Sequence, residues 1–333
     1  MKSSLEDVPE QVRTSPRRTL KILIVVAIQL ACIGLVAHTL WKSRSELSGA
    51  LNLGLAAVVS LLALNAIGHV QRTLEFTYML RRLGVKEPFT EGFWLTGAGF
   101  LLNHLPLNAG FVMRAVVLRR DHSLPYSSYI SLTLVNMVIN VAMASLIGLA
   151  GALSGAMGDR HATLSAVILF SSVLVGCAFT IWMPGLPLPK GEGFIARQIR
   201  NLAAGIVMIR GNGSAIAVLA LLAMTKLVIL SFRLTICFAA LGQALSAFDA
   251  SLLASVTNLT AIVNITPGNL GLREMALSLV SAELGSSHSH GLAAASIDRV
   301  VSLIYIVAAG VPGIYTLRRR GPLADTQPRQ RSA

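Results

Sequence analysis

The sequence predicts an all-α, polytopic integral membrane protein: about six full transmembrane helices plus two re-entrant broken-helix hairpins, arranged as an inverted-topology repeat. Three observations predict it. First, 54% of the 333 residues are hydrophobic and only 13% are charged, and the apolar residues fall in runs long enough to cross a bilayer. Second, the net charge of +13 sits mostly on Lys and Arg in short loops and tails between those runs, as the positive-inside bias places them. That placement points to a lipid bilayer and not to a nucleic acid. Third, the pattern Asn-x-x-Pro-x-Asn-x-Gly occurs twice, at 103–110 and 264–271, deep in apolar sequence where Pro and Gly interrupt helices.

Taken in order, residues 1–19 are polar, carry Arg13, Arg17 and Arg18, and read as a disordered cytoplasmic tail. The first span, 20–41, follows too long a polar stretch for a cleaved leader and reads as a signal anchor. The second span, 50–70, holds Asn65 and His69 on one face. A basic loop with Arg72, Arg81, Arg82 and Lys86 comes next. Residues 92–118 are apolar but broken by the first motif, with Arg119 and Arg120 immediately after. A crossing would put that basic pair outside, so a hairpin that enters and returns is expected. The third span is 126–153 and the fourth 162–183. The link 184–212 starts rich in Pro and Gly. It ends amphipathic, with Arg197, Arg200 and Arg210 against Ile195, Ile199, Leu202 and Ile206, which suits a helix on the inner leaflet.

A fifth span, 214–241, precedes the second hairpin, 250–284, and a polar tip, 285–291. The sixth span, 292–317, runs into the basic cytoplasmic tail 318–333. Each membrane repeat, 20–153 and 154–317, then has three crossings and one hairpin. An odd number of crossings turns the second copy upside down, the architecture of carriers with a site near the midplane. Both termini are expected on the cytoplasmic side of the inner (plasma) membrane.

The breaks are where chemistry is expected. A Pro with nearby Gly strips several backbone groups of their helical partners, which hydrocarbon penalises. Pro106, Gly110, Pro267, Gly268 and Gly271 make the breaks, and Asn103, Asn108, Asn264 and Asn269 have the donors and acceptors to satisfy backbone or a headgroup. The half-helix after Gly271 points its positive end into the membrane, suited to a phosphate, with Arg114 and Arg273 as adjacent charge. Glu274, in its first turn, either caps it or pairs with a cation. Elsewhere Lys226 and Arg233, seven apart, share a face, as do Asn136 and Asn140. Asp298 and the adjacent Arg299 are expected to find separate partners. His288 and His290 lack an evident third ligand, so no metal is expected, and no cofactor. Cys32, Cys177 and Cys237 are scattered singly and read as packing residues.

At Pro267, Gly268, Gly271 and Glu274 the chain resembles the membrane region of lysylphosphatidylglycerol synthases and its stand-alone, flippase-like relatives. Pro106, Gly110 and Arg114 resemble that family's earlier motif, and Arg299 matches the opening of its final span. The chain departs from the family at Phe111, where an acid often stands, and near Val135 and Asn136, where an acid–base pair is common. The resemblance would cover roughly 20–320 and implies lipid translocation between leaflets, without the synthases' aminoacyl-transferase domain.

These residues lead to an expected lipid flippase or translocase for an anionic phospholipid or polyprenyl-phosphate-linked lipid. Its substrate-binding residues would be Asn103, Asn108, Arg114, Lys226, Asn264, Asn269, Arg273, Glu274 and Arg299. No phosphate-binding Gly-rich loop, nucleophile elbow or His-Glu-x-x-His helix is present, which points away from an enzyme. The alternatives are a membrane-embedded lipid or glycolipid transferase with Glu274 or Asp298 as base, and an accessory subunit partnered with an envelope-lipid biosynthesis enzyme. A small-solute carrier fits the repeat equally.

Overall fold

The structure, a computed structural model, describes residues 54–104, 109–154, 160–182, 193–210, 212–263, 269 and 271–319. The expected tails apart from Arg318 and Arg319, the span at 20–41, and Pro106, Asn108, Asn264, Pro267 and Gly268 lie outside the described residues. Ten helices and no strands appear among the rest: α1 (Leu55–Arg82), α2 (Phe89–Leu102), α3 (Ala109–His122), α4 (Tyr126–Leu153), α5 (Arg160–Trp182), α6 (Phe194–Arg210), α7 (Gly213–Ala239), α8 (Ala247–Val263), α9 (Leu272–Glu283) and α10 (His288–Arg319). Five of these, α1, α4, α5, α7 and α10, are long and apolar enough to cross a membrane.

The remaining apolar helices are short. At 1.5 Å per residue, α2 and α3, of 14 residues each, reach about 21 Å, less than the roughly 30 Å of hydrocarbon. They fold back on each other closely. A Cβ added to Gly110 would lie 1.8 Å from the Gly99 carbonyl oxygen, so this approach requires glycine. The pair α8 and α9, of 17 and 12 residues, repeats the arrangement. The order long helix, hairpin, long helix thus occurs twice, as α1 to α4 and as α7 to α10.

The two units grip each other reciprocally. Helix α2 of the first packs on α10 of the second, and α8 of the second packs on α4 of the first. Small residues permit both contacts: a Cβ on Gly313 would come within 2.5 Å of the Trp94 carbonyl, and Gly151 faces the Phe248 carbonyl. Between them α1 and α7 run antiparallel, since Gly68 meets Ile229 and, further along α1, Gln71 donates to the earlier Leu222 carbonyl. On the outside, α5 is largely open to lipid and inserts Phe170 over Gly148 of α4.

Two boundaries differ from the sequence reading for a physical reason. The second span does not end near residue 70: α1 continues through Arg72 and Glu75 to Arg82 and stops only before Gly84, at φ 78°. Charges do not end a helix whose charged face turns toward protein. The polar tip is also shorter, because α10 starts at His288, where Ser287 meets Nδ1 of His290 at 2.7 Å. The amphipathic link does form α6. Leu202 and Ile206 pack into the core beside α4, however, so it is only partly a surface helix.

Candidate functional site

A cavity of about 540 Å³ lies between α1, α4, α7 and α10 and reaches both hairpins. Helices α7 and α10 contribute to it from their middles, residues 226–233 and 299–306, while α1 contributes residues 65–79 toward its C-terminal end and α4 residues 129–141 toward its N-terminal end. The cavity thus runs from the mid-length of the spanning helices toward the ends where α1 finishes and α4 begins, and polar groups at that mid-length are costly unless they are used.

Helix α1 presents Asn65, His69, Arg72 and Glu75 to it, recurring at helical spacing on one face. His69 ties three helices together: its Nδ1 lies 3.0 Å from the Tyr305 hydroxyl of α10, its Nε2 3.1 Å from the Phe93 carbonyl of α2. Glu75 is buried and accepts hydrogen bonds from Gln71, Asn136 and Asn140. Asn140 also accepts from Lys226 Nζ at 3.1 Å, so a single amide links the carboxylate to the ammonium. Arg72 rests on the ring of Phe100, 4.7 Å from its centroid, with no hydrogen bond or ion pair among the described residues.

The second unit supplies an ion-pair cluster. Asp298, with no exposed surface, accepts from Arg233 Nε at 2.8 Å through one oxygen and pairs with Arg273 through the other. Arg233 also donates to Ser302. Arg299 pairs with Glu274 and donates to the Asn269 carbonyl at 3.1 Å. Glu274 in turn accepts from the Gly271 N–H at 2.8 Å, so it both caps α9 and binds a cation. The turn into α9 needs left-handed backbone, with Asn269 at φ 56° and Gly271 at φ 86°. Asn269 tolerates it and spans the break by donating to Thr260 at 3.2 Å.

In the first hairpin Asn103 accepts from the Phe111 N–H at 3.1 Å, which satisfies an orphan donor in the first turn of α3. Arg114, one turn beyond, donates to the Gly110 carbonyl at 3.3 Å and lies 5.7 Å from the ring centroid of Phe76.

The structure therefore brings Asn103, Arg114, Lys226, Asn269, Arg273 and Arg299 to the lining of one cavity, with Glu274 buried behind Arg299. Gly110 and Gly271 serve the turns. Arg72, read from sequence as part of a basic loop, and Glu75, which the sequence reading does not single out, both lie on α1; the face marked by Asn65 and His69, continued at the same spacing, contains them. His288 and His290 take no part, and no group of three metal-binding side chains occurs among the described residues. Six cationic side chains line the cavity, Arg72, Arg114, Lys226, Arg233, Arg273 and Arg299. Three carboxylates answer them, Glu75, Asp298 and Glu274. Three positive charges remain unmatched among the described residues.

An all-helical bundle of membrane-spanning helices and broken hairpins around a positively charged interior cavity defines a multi-pass membrane protein. The particular family follows from comparison: the model of the lysylphosphatidylglycerol synthase TM region matches residues 18–310, and the chain belongs to that family. Among curated proteins the chain is similar to "Glycosyltransferase AglD" of Haloferax volcanii, at 25% identity across 92% of this chain and 56% of that protein. The chain thus spans little more than half the length of that relative. No solved structure matches.

Proposed function

We propose that this protein moves an anionic lipid headgroup, of the phospholipid or polyprenyl-phosphate type, between the two leaflets of the membrane. One observation carries the reading: the excess of three cations in a cavity walled by four spanning helices. Unmatched charge at that depth is costly, and an anion that enters removes the cost. Arg72, Arg114 and Lys226 attract the headgroup; the Asp298 and Glu274 pairs hold the second hairpin beside it. The reciprocal contacts and the antiparallel α1 and α7 fit an inverted repeat, in which one hairpin from each face gates the cavity in turn. Both termini are then cytoplasmic.

The name of that relative, a glycosyltransferase, favours a second reading, a membrane-embedded lipid or glycolipid transferase or an accessory subunit of one. The two acids best placed by sequence to act as base, Glu274 and Asp298, are both held by arginines, which disfavours catalysis by either. Product formed from a labelled lipid-linked sugar by the purified chain would support that reading.

The test of translocation is leaflet exchange of a fluorescent anionic lipid in liposomes containing the purified protein. The parent is expected to exchange it, and Arg114→Ala and Lys226→Ala to slow exchange at least about tenfold, one lost charge contact of roughly 1.4 kcal/mol. No exchange by the parent, or unchanged rates in both variants, overturns the proposal.

A further inference from the structure

The two units can be laid on each other by the motif alone. The shift that carries Asn103 onto Asn264 and Gly110 onto Gly271 also carries Arg72 onto Arg233 and Asn65 onto Lys226. Both arginines line the cavity, at matching places on the antiparallel helices α1 and α7. Their surroundings differ in one respect. Arg233 lies against Asp298 of α10, a carboxylate it shares with Arg273. By the same shift Asp298 falls on Met137, next to Asn136, so α4 brings no acid where α10 brings one. Glu75 does not replace it. Its oxygens accept from three amides, and it makes no ion pair with Arg72.

The second unit thus shows how this fold satisfies a buried arginine: one anion with two oxygens, shared between two guanidinium groups. The first unit keeps the arginine and lacks the anion. We infer that the ligand supplies it, as a terminal phosphate monoester that binds Arg72 with Lys226 and Arg114 around it. This rests on the translocation reading and narrows its substrate class. Of the three surplus charges one stays on the Arg233 and Arg273 pair, which shares Asp298; Arg72, Arg114 and Lys226, with Glu75 among them, carry the other two, and a phosphodiester with one negative charge would leave one of these unmatched. A monoester carries about 1.5 to 2 near neutral pH, and its oxygens suit the planar fork of arginine. A cavity of about 540 Å³ has room for the phosphate and a small headgroup beside it.

The test uses the full chain purified in detergent, at about pH 8, where a monoester has its second charge. Calorimetric titration compares dihexanoyl phosphatidic acid, a monoester, with dihexanoyl phosphatidylglycerol, a diester on the same tails, and with inorganic phosphate. The parent is expected to bind phosphatidic acid at least about tenfold more tightly than either of the others. Arg72→Gln is expected to abolish the preference while melting close to the parent, since it breaks no hydrogen bond or ion pair. Arg72→Lys keeps the charge, loses the fork, and should reduce the preference by several-fold; it serves if the Gln variant does not fold.

Equal affinity for the two lipids, or a preference that survives Arg72→Gln, overturns the inference. Inorganic phosphate binding as tightly as phosphatidic acid overturns the lipid assignment in favour of the free ion. The broader reading fails separately. Leaflet exchange of phosphatidylglycerol without any monoester preference leaves translocation standing and this inference fallen. An Arg72-dependent preference with no exchange of either lipid does the reverse.

Discussion

Asp298 holds one guanidinium from α7 and another from α9 while sharing no surface with solvent. Two elements are therefore fastened to α10 through one carboxylate. Asp298→Asn keeps the shape and removes the charge, leaving Arg233 and Arg273 against each other with no counter-charge between them. Breaking a buried pair this way costs about 3–5 kcal/mol, so the detergent-solubilised variant should melt well below the parent. A melting temperature within a degree or two of the parent would show that the cluster does not fasten the hairpin. At this scale the sequence was readable where charged or amide residues recurred on one face. Lys226 with Arg233 and Asn136 with Asn140 could be placed that way. Asp298 and Arg299 do find separate partners. Arg72 and Glu75 were hidden because a charge after an apolar run resembles the end of a span. That inference holds only for a helix face that meets lipid.

Among the elements, the first hairpin depends on how closely α3 can lie against α2. Gly110 faces the Gly99 carbonyl at a distance no Cβ can occupy. Gly110→Ala must therefore push the helices apart, at a cost of about 1–3 kcal/mol, and should also weaken ligand binding by displacing Arg114. Gly176→Ala on α5 is the control. Nothing lies within 4 Å of its added Cβ, so it should be neutral or stabilise by up to about 1 kcal/mol. Equal melting temperatures for the two variants would contradict the close contact. The pattern of Pro and Gly located both breaks from sequence. It could not reveal that Asn103 caps α3, because a cap and a ligand contact use the same amide.

For the whole molecule, the repeated order of helices was legible in the duplicated motif, and the reciprocal packing of α2 on α10 and α8 on α4 was not, because no local signal encodes which long helix a hairpin chooses. If the first hairpin enters and leaves by one face, Thr90→Cys before it and Arg120→Cys after it should react with an impermeant thiol reagent from the same side of sealed vesicles. Labelling from opposite sides would make the pair of short helices a crossing and would remove the inverted repeat.

A wet, positively charged hollow between the hairpins can be read directly by a single cysteine inside it. Thr133 lines the cavity from α4, so Thr133→Cys, with Cys32, Cys177 and Cys237 replaced by alanine, places a thiol there. An anionic methanethiosulfonate is expected to react at least about tenfold faster than a cationic one of similar size, with the difference shrinking at high salt. Equal rates for the two reagents, or a faster cationic one, would contradict it.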